Sequence, residues 1–237
     1  AAEPQTAARA KYFLGQTYTQ LERYDEALLA YETYLNLRPG LIDSHVQSLR
    51  GDLFTTLGDY DGAVQAYEAA YLNDPTGGTD EQAIDVAVAY QNAGQVDTAL
   101  ELYKNIYATS TNDYTKAQMD LRIGQIYLDR DQPEEAFPYL QDAVNNFPFA
   151  YDAFTALLLL LEGGQEVNEY QRGLINTYVG QYALAIEAFD RYLASGAEAN
   201  ADAALYHKAL ATRSLDTEPV KDNYQAAIDL WEQLILD

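Results

Sequence analysis

Small and aromatic residues recur along this chain at the three- and four-residue spacings that place side chains on one face of an α-helix. Gly15 and Tyr18 lie three residues apart in one such segment, and Ala27 and Tyr31 lie four apart in the next. Pro39 then ends the second segment, because proline cannot continue the hydrogen-bond ladder of a helix. This periodicity predicts an all-α chain of about thirteen helices, most of them joined as helix–turn–helix pairs.

The first pair is the start of an internal repeat. The small residue permits two helices to approach closely, and the aromatic residues fill the gap to the neighbouring pair. The pattern resembles the tetratricopeptide repeat (TPR), a helix–turn–helix unit of 34 residues, and this resemblance implies a right-handed superhelical solenoid. The motifs that carry it are Gly15-x2-Tyr18-x8-Ala27-x3-Tyr31-x7-Pro39, Gly51-x2-Phe54-x8-Ala63-x3-Tyr67-x7-Pro75, Gly124-x2-Tyr127-x8-Ala136-x3-Leu140-x7-Pro148 and the shorter Tyr90-x8-Ala99-x3-Tyr103.

The repeat frame covers nearly the whole chain, so residues 1–237 are predicted to form a single TPR-type solenoid. It contains about six helix pairs and one unpaired helix. The predicted repeats span residues 8–41, 44–77, 80–113, 117–150, 166–199 and 201–237, with the extra helix at 151–162.

Charge and composition restrict the partners. The chain has 37 acidic and 14 basic residues and a formal net charge of −23, which repels phosphate backbones, so nucleic acid is not an expected partner. The longest apolar run, 157–161, is far shorter than the roughly 20 residues that span a bilayer, so membrane insertion is not expected. The chain contains no cysteine, which excludes disulfides and thiolate metal sites.

No residue pattern indicates an active site. His45 and His207 belong to different repeats, and neither has a histidine or cysteine at metal-ligand spacing. No glycine-rich phosphate loop and no Gly-x-Ser-x-Gly nucleophile motif is present. The sequence therefore predicts a protein that is not an enzyme, binds no metal and needs no cofactor.

The first helix of each pair is expected to line the concave side of the solenoid. Tyrosines, amides and hydroxyls at these positions form a candidate groove that suits an extended peptide or a glycan, although an ordinary solvated face has the same composition. The candidate groove residues are Tyr12, Gln16, Gln20, Asp52, Gln91, Asn92, Gln125, Tyr170, Thr177, Tyr206 and Arg213.

A narrower resemblance appears in the C-terminal half. The segments 170–175, 180–182 and 185–193 resemble the helical arm that precedes the catalytic domain of bacterial SLT-type lytic transglycosylases, and 226–231 continues the likeness. Such arms work outside the cytoplasm beside peptidoglycan, so the resemblance implies an extracytoplasmic or secreted bacterial protein. The family's catalytic Glu-Ser pair is missing from the chain, so the resemblance implies the binding arm alone.

Both terminal segments carry apolar residues in excess of what one neighbouring helix covers. Truncation explains such surfaces, and so does stacking of the last repeat of one chain on the first repeat of the next. The sequence thus predicts an interaction scaffold that self-assembles head to tail into an oligomer or filament, with the transglycosylase arm as the alternative. The candidate end-stacking residues are Tyr12, Phe13, Tyr224, Ile228, Trp231, Leu234 and Ile235.

Overall fold

The computed structural model describes residues 4–215 and 220–236, which form thirteen α-helices connected by turns and loops. This confirms the predicted all-α fold and the predicted number of helices. The helices are α1 Pro4–Gln20, α2 Tyr24–Leu37, α3 Asp43–Leu57, α4 Tyr60–Leu72, α5 Asp80–Asn92, α6 Val96–Thr109, α7 Asp113–Asp129, α8 Pro133–Asn146, α9 Tyr151–Glu162, α10 Glu169–Tyr178, α11 Tyr182–Ala194, α12 Ala201–Ser214 and α13 Val220–Leu236.

Five of the predicted helix pairs pack as the repeat pattern predicts. α1 packs on α2, α3 on α4, α7 on α8, α10 on α11 and α12 on α13. α9 is the predicted unpaired helix, with the predicted bounds, and it packs against α7, α8 and α10. Its five consecutive leucines from Leu157 onward place two side chains in the core, at Leu157 and Leu160.

The chain divides into two compact units, one extending to Ala108 and one starting at Thr109. The first unit has one core around Tyr31 and Tyr34 and another around Tyr67 and Val86. The second has a large core that α9 completes and a smaller one around Phe189. A single solenoid through residues 1–237 therefore remains a prediction.

Local sequence signals set several helix starts. Thr79 accepts a hydrogen bond from the Gln82 backbone, and the Gln82 side chain accepts one from the Thr79 backbone N–H, so a capping box begins α5. Pro133 occupies the first turn of α8, where its missing N–H costs nothing. Asn112 and Asn168 cap α7 and α10 through their side-chain oxygens.

Four buried glycines mark the closest approach of the two helices in a pair. A Cβ added at Gly15 would lie 2.4 Å from a carbon of the Tyr31 ring, and one at Gly173 would lie 2.4 Å from the Phe189 ring. Gly51 has the same relation to Tyr67, at 2.5 Å, and Gly124 to Leu140, at 2.6 Å. In each pair the large residue follows its glycine by sixteen positions, so this spacing marks a large side chain packed directly against the glycine backbone.

We expect Gly15→Leu to lower the free energy of unfolding by roughly 1–3 kcal/mol, because Tyr31 is buried and cannot move away from the new side chain. Thr17→Leu is the matched control, since Thr17 lies exposed on the same helix. Urea denaturation followed by circular dichroism at 222 nm measures both. Equal stability of the two variants would show that the glycine contact carries no packing constraint.

Candidate functional site

Tyrosine hydroxyls tie the second helix of a pair to polar residues of the first. The Tyr67 hydroxyl donates to Asp52 Oδ1 at 2.7 Å, and the Tyr103 hydroxyl donates to Gln91 Oε1 at 2.8 Å. Burial raises the pKa of Tyr67, and the hydrogen bond to the Asp52 carboxylate raises it further. Two candidate groove residues, Asp52 and Gln91, are therefore already engaged in holding their own repeats together.

A second position on the first helix also supplies hydrogen-bond partners for the tyrosine hydroxyls of the second helix. Thr19 hydrogen-bonds Tyr31 and Thr55 hydrogen-bonds Tyr67. Thr19 and Thr55 follow the close-contact glycines by four residues, and Gln91 has the same place in the third repeat. A polar residue at this offset wherever the second helix carries tyrosine is a signal that sequence reasoning did not use.

The α1 part of the candidate groove forms a small polar and aromatic cluster. Gln16 Nε2 donates to the Tyr12 hydroxyl at 3.0 Å, and that hydroxyl lies 3.2 Å from His45 Nε2 on α3. The Tyr12 ring centroid is 5.9 Å from that of Tyr34 on α2. These contacts fix the half-buried Tyr12, whereas Gln20 at the end of α1 is exposed.

In the second unit, His207 brings two candidate groove residues together. Its ring centroid lies 6.4 Å from that of Tyr170 and 5.3 Å from that of Tyr206, and it stacks on Phe189 at 6.2 Å. Burial lowers the pKa of His207. Sequence reasoning considered this histidine only as a metal ligand, rejected that role, and missed its place at the centre of the cluster.

The remaining candidate groove residues are less constrained. The Thr177 hydroxyl donates to the Gly173 carbonyl in its own helix, and the Arg213 guanidinium lies 5.8 Å from the Trp231 ring centroid. Gln20, Asn92 and Gln125 are exposed. The structure thus joins Tyr12 with Gln16 in the first unit and Tyr170 with Tyr206 in the second, and one continuous groove stays a prediction.

The candidate end-stacking residues differ in exposure. Phe13 is 60% exposed and Ile235 80% exposed, and Tyr224 and Ile228 are exposed as well. Tyr12, Trp231 and Leu234 are half-buried. Because Trp231 contacts Arg213 within its own helix pair, it is a poorer candidate for an intermolecular contact than Ile235.

A groove at the start of the first unit was not expected from the sequence. It has a volume of about 350 Å³, within the range of ligand-binding clefts. Side chains of α1 and α2 and of the loop that leads to α3 line it: Arg9, Tyr12, Phe13, Tyr34, Arg38, Leu41 and Ile42. The groove therefore combines apolar surface with two guanidinium groups, in a chain that is strongly acidic.

A buried carboxyl in α7 is a further feature that was not predicted from the sequence. Asp120 is 1% exposed and hydrogen-bonds Asp142 of α8. Burial, together with the nearby Asp142 charge, raises the pKa of Asp120 to about 9, and Lys116 opposes this shift. Asp120 therefore keeps its proton at neutral pH. In so acidic a sequence nothing distinguished this pair from the many exposed carboxylates.

The buried acid makes stability depend on pH. An unfolded aspartate has a pKa near 3.9, so its folded pKa of about 9 means that the Asp120 contribution is fully present below about pH 4 and declines as the pH rises to about 9. We expect Asp120→Asn to raise the free energy of unfolding at pH 8 by about 1–3 kcal/mol and to flatten its decline with pH. Denaturation at pH 5 and pH 8 measures this. Asp129→Asn, on the exposed end of α7, should change neither quantity, and an unchanged pH slope in Asp120→Asn would contradict the assignment.

Membrane-spanning helices and metal-binding clusters are both absent from residues 4–215 and 220–236. Within them, no helix is both long enough and apolar enough to cross a bilayer. Nor do they contain a group of three or more histidine, cysteine, aspartate or glutamate side chains placed to hold a metal ion.

Comparison with known families identifies the repeat. A family model described as tetratricopeptide repeat matches residues 8–40 and 45–76, and a second with the same description matches 85–153. Together they cover more than half of the chain. The first two matches agree with the predicted repeats 8–41 and 44–77. No curated protein sequence matches the chain.

Solved structures include proteins similar to this chain. The crystal structure of MamA is 18% identical with a TM-score of 0.50, and the alignment covers 75% of this chain and 95% of MamA. The C-terminal part of a TPR repeat-containing protein from Cytophaga hutchinsonii is 16% identical with a TM-score of 0.48, covering 95% and 80%. PilW, described as a widely conserved type IV pilus biogenesis factor, is 16% identical with a TM-score of 0.44, covering 97% and 93%. At 18% identity the likeness to MamA concerns the fold alone, and the transglycosylase-arm resemblance stays a prediction.

Proposed function

Because this chain belongs to the tetratricopeptide repeat family, we propose that it is a non-enzymatic scaffold for protein–protein interaction whose copies associate head to tail. Stacked helical repeats present extended surfaces to other chains. The observation that carries self-association is the match between a basic, partly apolar α1 and an acidic, partly apolar α13.

The charge of α1 opposes the acidic trend of the chain, whereas the charge of α13 follows it, so the two helices have opposite charge. α1 carries Arg9 and Lys11 and no acidic residue, although the chain has 37 acidic residues. α13 carries Asp222, Asp229 and Glu232 and a single basic residue. Opposite charges favour contact between α1 of one copy and α13 of another, and they disfavour α1–α1 and α13–α13 contacts.

Apolar exposure supplies the driving force for the same contact. Phe13 and Leu14 are exposed on α1, and Ile228, Ile235 and Leu236 are exposed on α13. Covering a few hundred Å² of such surface contributes several kcal/mol at ~25 cal/mol per Å², before the costs of association. Two different surfaces in contact form a heterologous interface, which produces rings or open filaments instead of a closed dimer.

Self-association is tested by analytical ultracentrifugation over a range of concentrations at physiological ionic strength. We expect the mass to rise above the 26.4 kDa of one chain, and Ile235→Asp to suppress the rise because it places a charge at the contact. Leu72→Asp is the matched control: Leu72 is 79% exposed on α4, a helix that takes no part in the proposed contact.

The masses measured for the wild type and the two variants distinguish the alternatives. A single-chain mass at every concentration would reject head-to-tail association. A rise that Leu72→Asp abolishes as strongly as Ile235→Asp would show that association uses another surface.

The resemblance of segments 170–175 and 185–193 to lytic transglycosylase arms supports a location outside the cytoplasm of a bacterium. It also makes peptidoglycan the natural substrate on which to test for activity. Tyr12 with Gln16 in the first unit, and Tyr170 with Tyr206 in the second, are further candidate interaction surfaces of this scaffold, and an extended peptide suits their tyrosines and amides.

We expect the purified chain to release no muropeptides from peptidoglycan. Glycosidic bond cleavage needs a carboxylic acid placed at the scissile bond, and the Glu-Ser motif that supplies it in the transglycosylases is missing from this sequence. Chromatography of the soluble products measures release, with buffer as the blank and an active muramidase as the positive control. Products above the blank would contradict the non-enzymatic assignment.

A further inference from the structure

We propose that the groove lined by Arg9, Phe13, Tyr34, Arg38 and Leu41 is the acceptor site for α13 of a second copy, with the two arginines binding the acidic face of that helix. This inference rests on the proposed head-to-tail association. It names the contact residues, which that proposal leaves open.

The groove has the size and chemistry to accept a helix face. Its volume is about 350 Å³. Tyr34 is buried and Tyr12 and Ile42 are half-buried, while Phe13 and Leu41 are 60% and 59% exposed. A bound apolar side chain would therefore contact aromatic and aliphatic surface and would cover residues that water now reaches.

The arginines of this groove lack acidic partners. Among residues 4–215 and 220–236, neither Arg9 nor Arg38 forms an ion pair. Other basic residues do find carboxylates in the same acidic chain: Arg23, Lys104, Arg172, Arg191 and Lys208. Two unpaired guanidinium groups beside an apolar groove are suited to a carboxylate on an apolar ligand, because the planar donor fork of arginine matches the two carboxylate oxygens.

The exposed face of α13 has the complementary pattern. Ile228, Glu232 and Ile235 follow one another at spacings of four and three residues, so they share one face of the helix. All three are exposed, and Glu232 has no ion-pair partner in the described part of the chain. Two apolar anchors two turns apart with a carboxylate between them are the features by which a helix docks in a groove.

The test is a charge exchange on the full chain. The acceptor variant is Arg9→Glu with Arg38→Glu, and the donor variant is Glu232→Arg. Ultracentrifugation at physiological ionic strength should show that each variant alone self-associates about tenfold more weakly than the wild type, since like charges then face each other. An equimolar mixture of the two should recover association, because the acidic groove of one variant accepts the basic helix of the other.

Two controls isolate the contact. Glu198→Arg makes the same charge change as the donor variant at an exposed loop position and should associate like the wild type. Arg9→Lys with Arg38→Lys keeps the charge but loses the planar fork, and it should fall between the wild type and the acceptor variant. Circular dichroism establishes that every variant is folded before its association is measured.

The outcomes separate this inference from the proposed function. Recovery in the mixture supports the groove. Wild-type association without recovery in the mixture overturns the groove and leaves head-to-tail assembly standing on another surface. A wild type that stays at a single-chain mass overturns both. Equal weakening by Glu198→Arg and Glu232→Arg would show that only net charge matters and would overturn the groove.

Discussion

The architecture depends on one steric relation, a large side chain lying against a glycine sixteen residues earlier. Tyr31 on Gly15 and Phe189 on Gly173 leave no room for even a methyl group. Close helix approach follows from this contact, and so does the burial of the ring. Where Ala87 stands in place of the glycine, the partner Tyr103 is still fully buried, so the third repeat solves the same packing with one more carbon. The repeat is thus defined by the packing of a large side chain on a small residue more than by the identity of that small residue.

The same contact explains why tyrosine, a residue with a polar hydroxyl, fits this core position. The ring fills the space above the glycine, while the hydroxyl passes beyond it and reaches the first helix. In the first three repeats that hydroxyl is satisfied by Thr19, by Asp52 and Thr55, or by Gln91. Where the residue is Leu140 or Phe189, no hydroxyl requires a partner. The large residue that packs on the glycine therefore determines both how closely the two helices pack and whether the first helix must supply a hydrogen-bond partner.

Periodicity and spacing were enough to predict the fold, because the helix pairs and the bounds of α9 depend on signals within single segments of the sequence. The candidate site was predicted less well. The repeat frame tells which helix a residue occupies but not whether a neighbour already uses its polar atoms, as happens to Asp52 and Gln91. The groove around Arg9 and Arg38 brings together residues twenty-nine positions apart, and no single-segment pattern reports that.

The protonated Asp120 couples the folding of the second unit to the uptake of a proton. Alkaline solvent therefore favours opening of the α7–α8 pair, where this carboxyl is buried, over the opening of helices that bury no acid. Local opening exposes backbone to proteases and to solvent exchange long before a whole unit unfolds. Proteases should thus cleave this protein first between α7 and α8 when it is kept at high pH. The position of the first cleavage would therefore depend on pH.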